Sequence, residues 1–455
     1  MTQMRTNWMT SVVALLICVI CSTSCINGSP GKTGNSTVTK KTQAATAPAN
    51  DSATPESDGT EPEVSVYPTS AHPTINVYLE ISGSMNGYVN GGTSVFQQVV
   101  KEYLSGINNA GFASSVNYFY ISNQITPKGT DLDSFITKLT PSSFKASGGG
   151  ATTDIGGLFK TILGKTDNNT ISIFISDCII SPGSNKDTGA YARGQMTDVR
   201  DAIVGYTNQY QDLACLVYQF DSGFNGRYFD YENKARNVNM QRPFYIWVFG
   251  HTASVAMLKL QYVPDKDFKV ADIRNQWFIL NTPLAAIQDS NKYGLLLPNT
   301  IQNGKYTRVD ATTMRGVQKS DDNYRFSFGA YMMTAQLLMG DDYVEDTANY
   351  NHMVNKAAKE EFYGSIEKDY NQSSPYTEIF RVDSSSPFQK GSFTLAFIPK
   401  VPKWAIECSD NDDRTFTGAN DNKTYGLEYI FRGVFNGFNN GGNDNILAQF
   451  DFEIK

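Results

Sequence analysis

At 455 residues the chain is long enough for two or three domains of roughly 150 residues each. Its formal net charge of -7 excludes the basic field that a nucleic-acid partner requires. The 25 Tyr, 27 Phe and 37 Gly favour many short strands and turns over long helices.

Arg5 precedes an apolar run, residues 9–20 (MTSVVALLICVI), too short for a comfortable membrane span. Small residues then lead to Cys25 in CSTSC. This pattern resembles a bacterial lipoprotein signal, in which the cysteine after the cleavage site carries the lipid. The resemblance implies a signal peptide over residues 1–24, lipid attachment at Cys25 and a lipid-anchored place in the cell envelope, at the outer membrane. Ser22 stands where that family has a leucine-like residue, and an ordinary secretory signal cut nearby is the other reading. Residues 25–72 are rich in Ser, Thr, Pro, Ala, Asn and Gly. With so little apolar surface to bury they cannot offset their ordering entropy, and a disordered tether is expected.

From Thr74 the texture changes. Ile75, Val77, Leu79 and Ile81 alternate along a strand. Ser94 caps a helix whose Val95, Phe96, Val99, Val100, Tyr103, Leu104 and Ile107 recur at helical spacing. A strand follows over Val116–Ser122, which makes a βαβ unit. A short helix over 131–139 and a glycine run lead to a helix starting near Asp154. The buried strand ISIFISD (171–177), a helix over 197–210 and strands over 213–220 and 244–250 complete the pattern. Residues 221–242 read as an irregular insertion. Alternating strands and helices predict an α/β domain over 73–265, a doubly wound, mostly parallel, Rossmann-like sheet.

Residues 266–455 have another rhythm. Tyr324, Phe326 and Phe328, then Phe393, Leu395 and Phe397, then Phe450, Phe452 and Ile454 alternate with polar residues. They predict half-buried antiparallel strands in a β-rich α+β domain. One late helix, with Leu427, Ile430, Phe431, Val434, Phe435 and Phe438, keeps 3.6 spacing. Cys178, Cys215 and Cys408 allow at most one internal disulfide, and either a Cys178–Cys215 bridge or free thiols fit.

In an open parallel sheet, ligands gather at the carboxyl ends of the strands. Glu80, Ser82 and Ser84 follow the first strand, Thr153 and Asp154 precede a helix, and Asp177 ends a later strand. Two carboxylates with neutral hydroxyls suit a hard ion such as Mg2+ or Mn2+. Glu80-Ile-Ser-Gly-Ser84, Thr153 before Asp154-Ile-Gly, and Asp177 resemble, in order and separation, the metal-ion-dependent adhesion site (MIDAS) of von Willebrand factor type A domains. Glu80 stands where the family has aspartate. The resemblance implies that Glu80, Ser82, Ser84, Thr153 and Asp177 hold the ion. It also implies that an open coordination position takes an acidic side chain of a protein partner, for adhesion or complex assembly. The other reading is a structural envelope component whose hydroxyls only cap loops and helix ends.

An enzyme is not expected. A serine nucleophile needs a base, and the chain has three histidines: His72 in the tether, His251 at a strand end and His352 in the second domain. No G-x-S-x-G elbow surrounds Ser82, and a metal-assisted hydrolase would want a second cation or histidine ligands. Ser409-Asp-Asn-Asp-Asp413 lacks the glycine and distal glutamate of an EF-hand and reads as a solvated turn. The glycines 148–150 precede no Walker lysine, so they do not read as a phosphate loop.

Overall fold

The computed structural model describes residues 72–149, 154–180, 187–287, 292–298, 304–357, 360–418, 421–440 and 445–455. The expected signal peptide, Cys25, Thr153 and all but the last residue of the expected tether lie outside them.

β1 (Thr74–Glu80) lies inside a seven-stranded sheet. Helix α1 (Val95–Asn109) starts at a capping box: Ser94 accepts from the Gln97 amide while the Gln97 side chain accepts from the Ser94 amide. Its Phe96, Val99, Val100, Tyr103, Leu104 and Ile107 are buried, as the spacing requires. β2 (Ser115–Ile121) returns parallel to β1. β3 (Ile125–Gly129) folds back along β2 as an edge strand that Pro127 and Lys128 protect from further pairing. Helix α2 (Ile155–Leu163) leads into β4 (Thr170–Ser176), buried throughout and parallel to β1 on its other side. Then come α3 (Thr188–Tyr210), β5 (Ala214–Phe229), β6 (Ala235–Gly250) and β7 (Asn275–Leu280), giving the order β3-β2-β1-β4-β6-β5-β7.

The sheet is mixed, which corrects the expectation of a mostly parallel one. Only β2–β1–β4 run parallel, while β2–β3, β4–β6, β6–β5 and β5–β7 are antiparallel. The cause is local. A short turn joins β5 to β6 in place of a crossover helix, and strands so joined pair antiparallel. That turn is built by Asp230, whose carboxylate accepts from the amides of Glu232 and Lys234, with Asn233 at φ 60°. Residues 221–242 are no irregular insertion. They form the outer half of this hairpin, in register from Asp221 opposite Pro243 to Phe229 opposite Ala235.

Beyond β7 the strands are β8 (Tyr293–Leu295), β9 (Lys305–Arg308), β10 (Thr313–Ser320), β11 (Asn323–Ala330), β12 (Tyr350–Val354), β13 (Glu360–Glu361), β14 (Gly364–Lys368), β15 (Glu378–Ser384) and β16 (Gly391–Phe397). β17 (Ser409–Asp410), β18 (Thr424–Tyr425), helix α4 (Leu427–Phe438) and β19 (Ala448–Ile454) finish the chain. β13 pairs with β12, and three residues on β14 pairs with β15, so one segment reaches both ends of the strand path and the sheet curls into a half-barrel. Phe326, Phe328, Phe380, Phe393, Phe450 and Phe452 fill it, alternate residues of their strands pointing inward.

The first sheet does not stop at residue 265. β7 adds its last strand, and α4 packs on the face opposite α1, beside α2 and α3. Gly433 and Gly437 permit that approach: a Cβ on either would meet Val199 at 2.8 Å or Ile203 at 2.5 Å. The described residues from 72 onward belong to one compact unit. Cys178, Cys215 and Cys408 are all free thiols. Among the described residues no helix is long and apolar enough to cross a membrane.

Candidate metal centre

β1 and β4 end side by side, Leu79 being in register with Ile175. The parallel pairing brings Glu80, Ser82 and Ser84 from one strand end next to Asp177 from the other. Glu80 and Asp177 are each 1% exposed, and Ser82 and Ser84 each 6%. The Ser82 and Ser84 hydroxyls lie 3.0 Å apart. After Ser82 the chain closes a 3-10 turn over Ser84–Tyr88, in which the Asn86 side chain donates to the Gly83 carbonyl at 3.0 Å.

The acids differ in what holds them. The Ser176 hydroxyl donates to the Glu80 carboxylate and accepts from the Cys178 amide at 2.8 Å. Asp177 accepts from the Ile179 amide through Oδ1 at 3.3 Å, while its buried Oδ2 has no hydrogen-bond partner among the described residues. Burial first, and the Glu80 charge second, push the Asp177 carboxyl up to about 7. The Ser84 hydroxyl, the Ile179 amide and the Arg242 charge oppose the rise without cancelling it, and the hydroxyl does not close a hydrogen bond on Oδ2. Cys178, next in the chain, has φ 58°, a conformation costly for a non-glycine residue, and its sulfur accepts from the Trp247 indole at 3.3 Å.

Gly149 reaches this crevice. A Cβ on Gly149 would lie 2.3 Å from the Ile81 carbonyl, so only glycine lets the loop before α2 pass so close to the end of β1. Asp154 is used elsewhere. It caps α2, accepting from the Gly157 amide at 3.1 Å and from the Gln195 side chain at 2.8 Å. His251 is remote. It follows β6, which runs antiparallel to β4, so it lies at the opposite ends of the strands, with Nδ1 3.2 Å from Asp212.

Three contributors escaped the sequence reading. Ser176, inside the ISIFISD strand, is the polar residue that holds Glu80, and its polarity in an otherwise apolar strand was the available signal. Arg242 is buried at 1% exposure, donates to the Asp421 carbonyl at 2.7 Å and makes no ion pair among the described residues. The third is the hairpin of residues 221–242. Its Phe229 lies against Gly83 and its Phe224 against Gly87, where added Cβ atoms would meet the rings at 2.8 and 2.3 Å. Inward positions alternate through Ser222, Phe224 and Tyr228, a period of two hidden by the glycines and asparagines between them.

A hard divalent ion fits this donor set. Oxygen atoms line the crevice, two buried acids face each other, and one buried carboxylate oxygen of Asp177 has no partner among the described residues. Hydroxyls would have to supply part of the ligation, because among the described residues no three His, Cys, Asp or Glu side chains gather in one place to hold a metal. The acidic stretch after Ser409 is only partly a solvated turn. Asp413 is 1% exposed and accepts from the Tyr228 hydroxyl and, at 2.9 Å, from the Tyr231 amide. No protein-family model, curated protein or solved structure matches this chain.

Proposed function

We propose that this chain is a lipid-anchored protein of the bacterial cell envelope that binds a protein partner through a divalent cation. In this reading the domain is von Willebrand factor A-like and its crevice is a MIDAS-type centre for Mg2+ or Mn2+. The Ser82 and Ser84 hydroxyls, with Thr153, are the direct ligands, and the Glu80 and Asp177 carboxylates orient the water around the ion. Cys25 carries the lipid, and the segment up to residue 72 is the tether. The observation that carries the reading is the pair of buried acids Glu80 and Asp177, with an unpartnered Asp177 oxygen beside two hydroxyls 3.0 Å apart.

When bound, the ion supplies a Lewis-acidic position for an anionic oxygen. The chain's own residues do the rest. Ser176 holds Glu80 in place, and the Gly149 loop closes on Ile81. Titration of residues 26–455 with Mg2+ and Mn2+ by calorimetry tests the reading. Saturable binding by the wild type, lost in the Ser82→Ala, Ser84→Ala double variant, is expected. A folded wild type that takes up neither ion refutes it.

One observation favours the second reading, a structural envelope component with a vestigial site. All four described oxygen-bearing residues are nearly closed off, and Glu80 already accepts from Ser176. The same titration separates the two readings.

A further inference from the structure

A partner's carboxylate can reach an ion between Glu80 and Asp177 only if the crevice opens. The outer half of the β5–β6 hairpin closes it. β4 pairs with β6 no further than Ser176 opposite Tyr245, and β7 pairs with β5 no further than Gln219 opposite Asn275. From Asp221 to Arg242 the hairpin is therefore a ribbon of two strands with no flanking strand, an arrangement of marginal stability alone. Its root carries Pro243, opposite Asp221, which removes a ladder donor where the ribbon leaves the sheet.

Two sets of contacts hold the ribbon. Toward the crevice, Phe224 and Phe229 rest on glycines, the Asn90 side chain donates to the Asn225 carbonyl at 2.9 Å, and the Phe96 amide donates to the Ser222 hydroxyl at 3.0 Å. Asp413, Arg414, Phe416 and Asp421, between β17 and β18, clasp it on the face it shares with Ser222 and Phe224, Arg242 lying opposite Ser222 and Arg236 opposite Tyr228. Asp413 takes the Tyr228 hydroxyl and the Tyr231 amide, Arg236 donates to the carbonyls of Asp413 and Arg414, and Arg242 donates to that of Asp421. The Phe416 ring meets Tyr228 edge-on at 5.0 Å and lies under the guanidinium groups of Arg236 and Arg242. Both arginines keep a buried Nε without an acceptor among the described residues, so the clasp is imperfectly satisfied.

We infer that residues 221–242 are a detachable cover on the Glu80–Asp177 crevice, latched by Asp413 and Phe416, which a partner must displace to reach the bound ion. The inference rests on the metal-dependent reading for what lies beneath, but the cover can be tested without a metal. Hydrogen exchange on residues 26–455 should show Asp413→Ala raising exchange in Ser82–Tyr88 and in 221–242 together, by about tenfold, with β16 and β19 unchanged. Phe416→Ala is the second latch variant and should do the same. Exchange that rises in 221–242 while Ser82–Tyr88 stays protected overturns the cover.

A staple gives the converse. In the Asn90→Cys, Asn225→Cys variant, oxidation should slow Mn2+ association at least about tenfold relative to the reduced form. Equal rates in the two forms overturn the cover and leave the metal reading standing. Coupled exchange in a protein that binds no Mn2+ in either form does the reverse.

Discussion

Replacing Asp177 with asparagine removes one of two facing buried acids and keeps an acceptor for the Ile179 amide. In the metal-free protein the carboxyl titrates near 7 and not at 3.8, because burial and the Glu80 charge disfavour its ionised form. Between those values the native state retains a proton that the unfolded chain has shed, so stability falls as pH rises through the window. At ~1.4 kcal/mol per pH unit, the ionised acid costs the folded state at most ~4 kcal/mol above pH 7. Shared with Glu80 and eased by local relaxation, ~1–3 kcal/mol should survive. Urea unfolding at pH 8 in chelator should therefore find Asp177→Asn more stable than wild type by that amount, the gain shrinking toward pH 4. With saturating Mg2+ the gap should close or reverse, since an ion at a hundredfold its Kd adds ~2.7 kcal/mol to the wild type alone. A variant less stable than wild type in chelator at pH 8, or equally affected with and without Mg2+, would refute both the repulsion between the acids and the role of Asp177 toward the ion.

Glu378 offers a second titration, far from any proposed ligand. It is fully buried, accepts from the side chains of Gln336 and Thr377, and is pushed up to about 7 by burial and by Glu345 and Asp341. Glu378→Gln should raise the urea midpoint at pH 8, by ~1–3 kcal/mol in stability, and change it little near pH 4.5; parallel midpoints across that range would show the charge carries no cost. Phe431 on α4 packs against Trp404, Trp247 and Trp277 with ring centroids 4.9, 5.0 and 5.3 Å away. Phe431→Ala should cost ~3–5 kcal/mol and shift tryptophan emission to the red, and a loss under ~1 kcal/mol with unchanged emission would mean α4 does not cover the sheet.

Local pattern was enough for many of the elements of this protein, though not for the outer half of the β5–β6 hairpin or the first turns of α3, which starts at Thr188. The capping box at Ser94, the alternation that makes β1 and β19, the apolar run of β4 and the 3.6 spacing of α4 are each written within a dozen residues, where backbone geometry alone sets the period. The crevice was legible for the same reason: its described residues sit where two apolar strands break into polar turns, and parallel pairing places those breaks together. Strand direction was not legible. Whether β6 lies parallel or antiparallel to β4 depends on a turn at Asp230–Lys234 whose flanking alternation is blurred by glycine and asparagine. The closure of the crevice was even less so. It needs Tyr228 to meet Asp413 and Arg242 to meet Asp421, residues 185 and 179 positions apart. Such contacts belong to the folded unit as a whole, because nothing in a short window of sequence sets which distant surface a two-stranded ribbon will lie against.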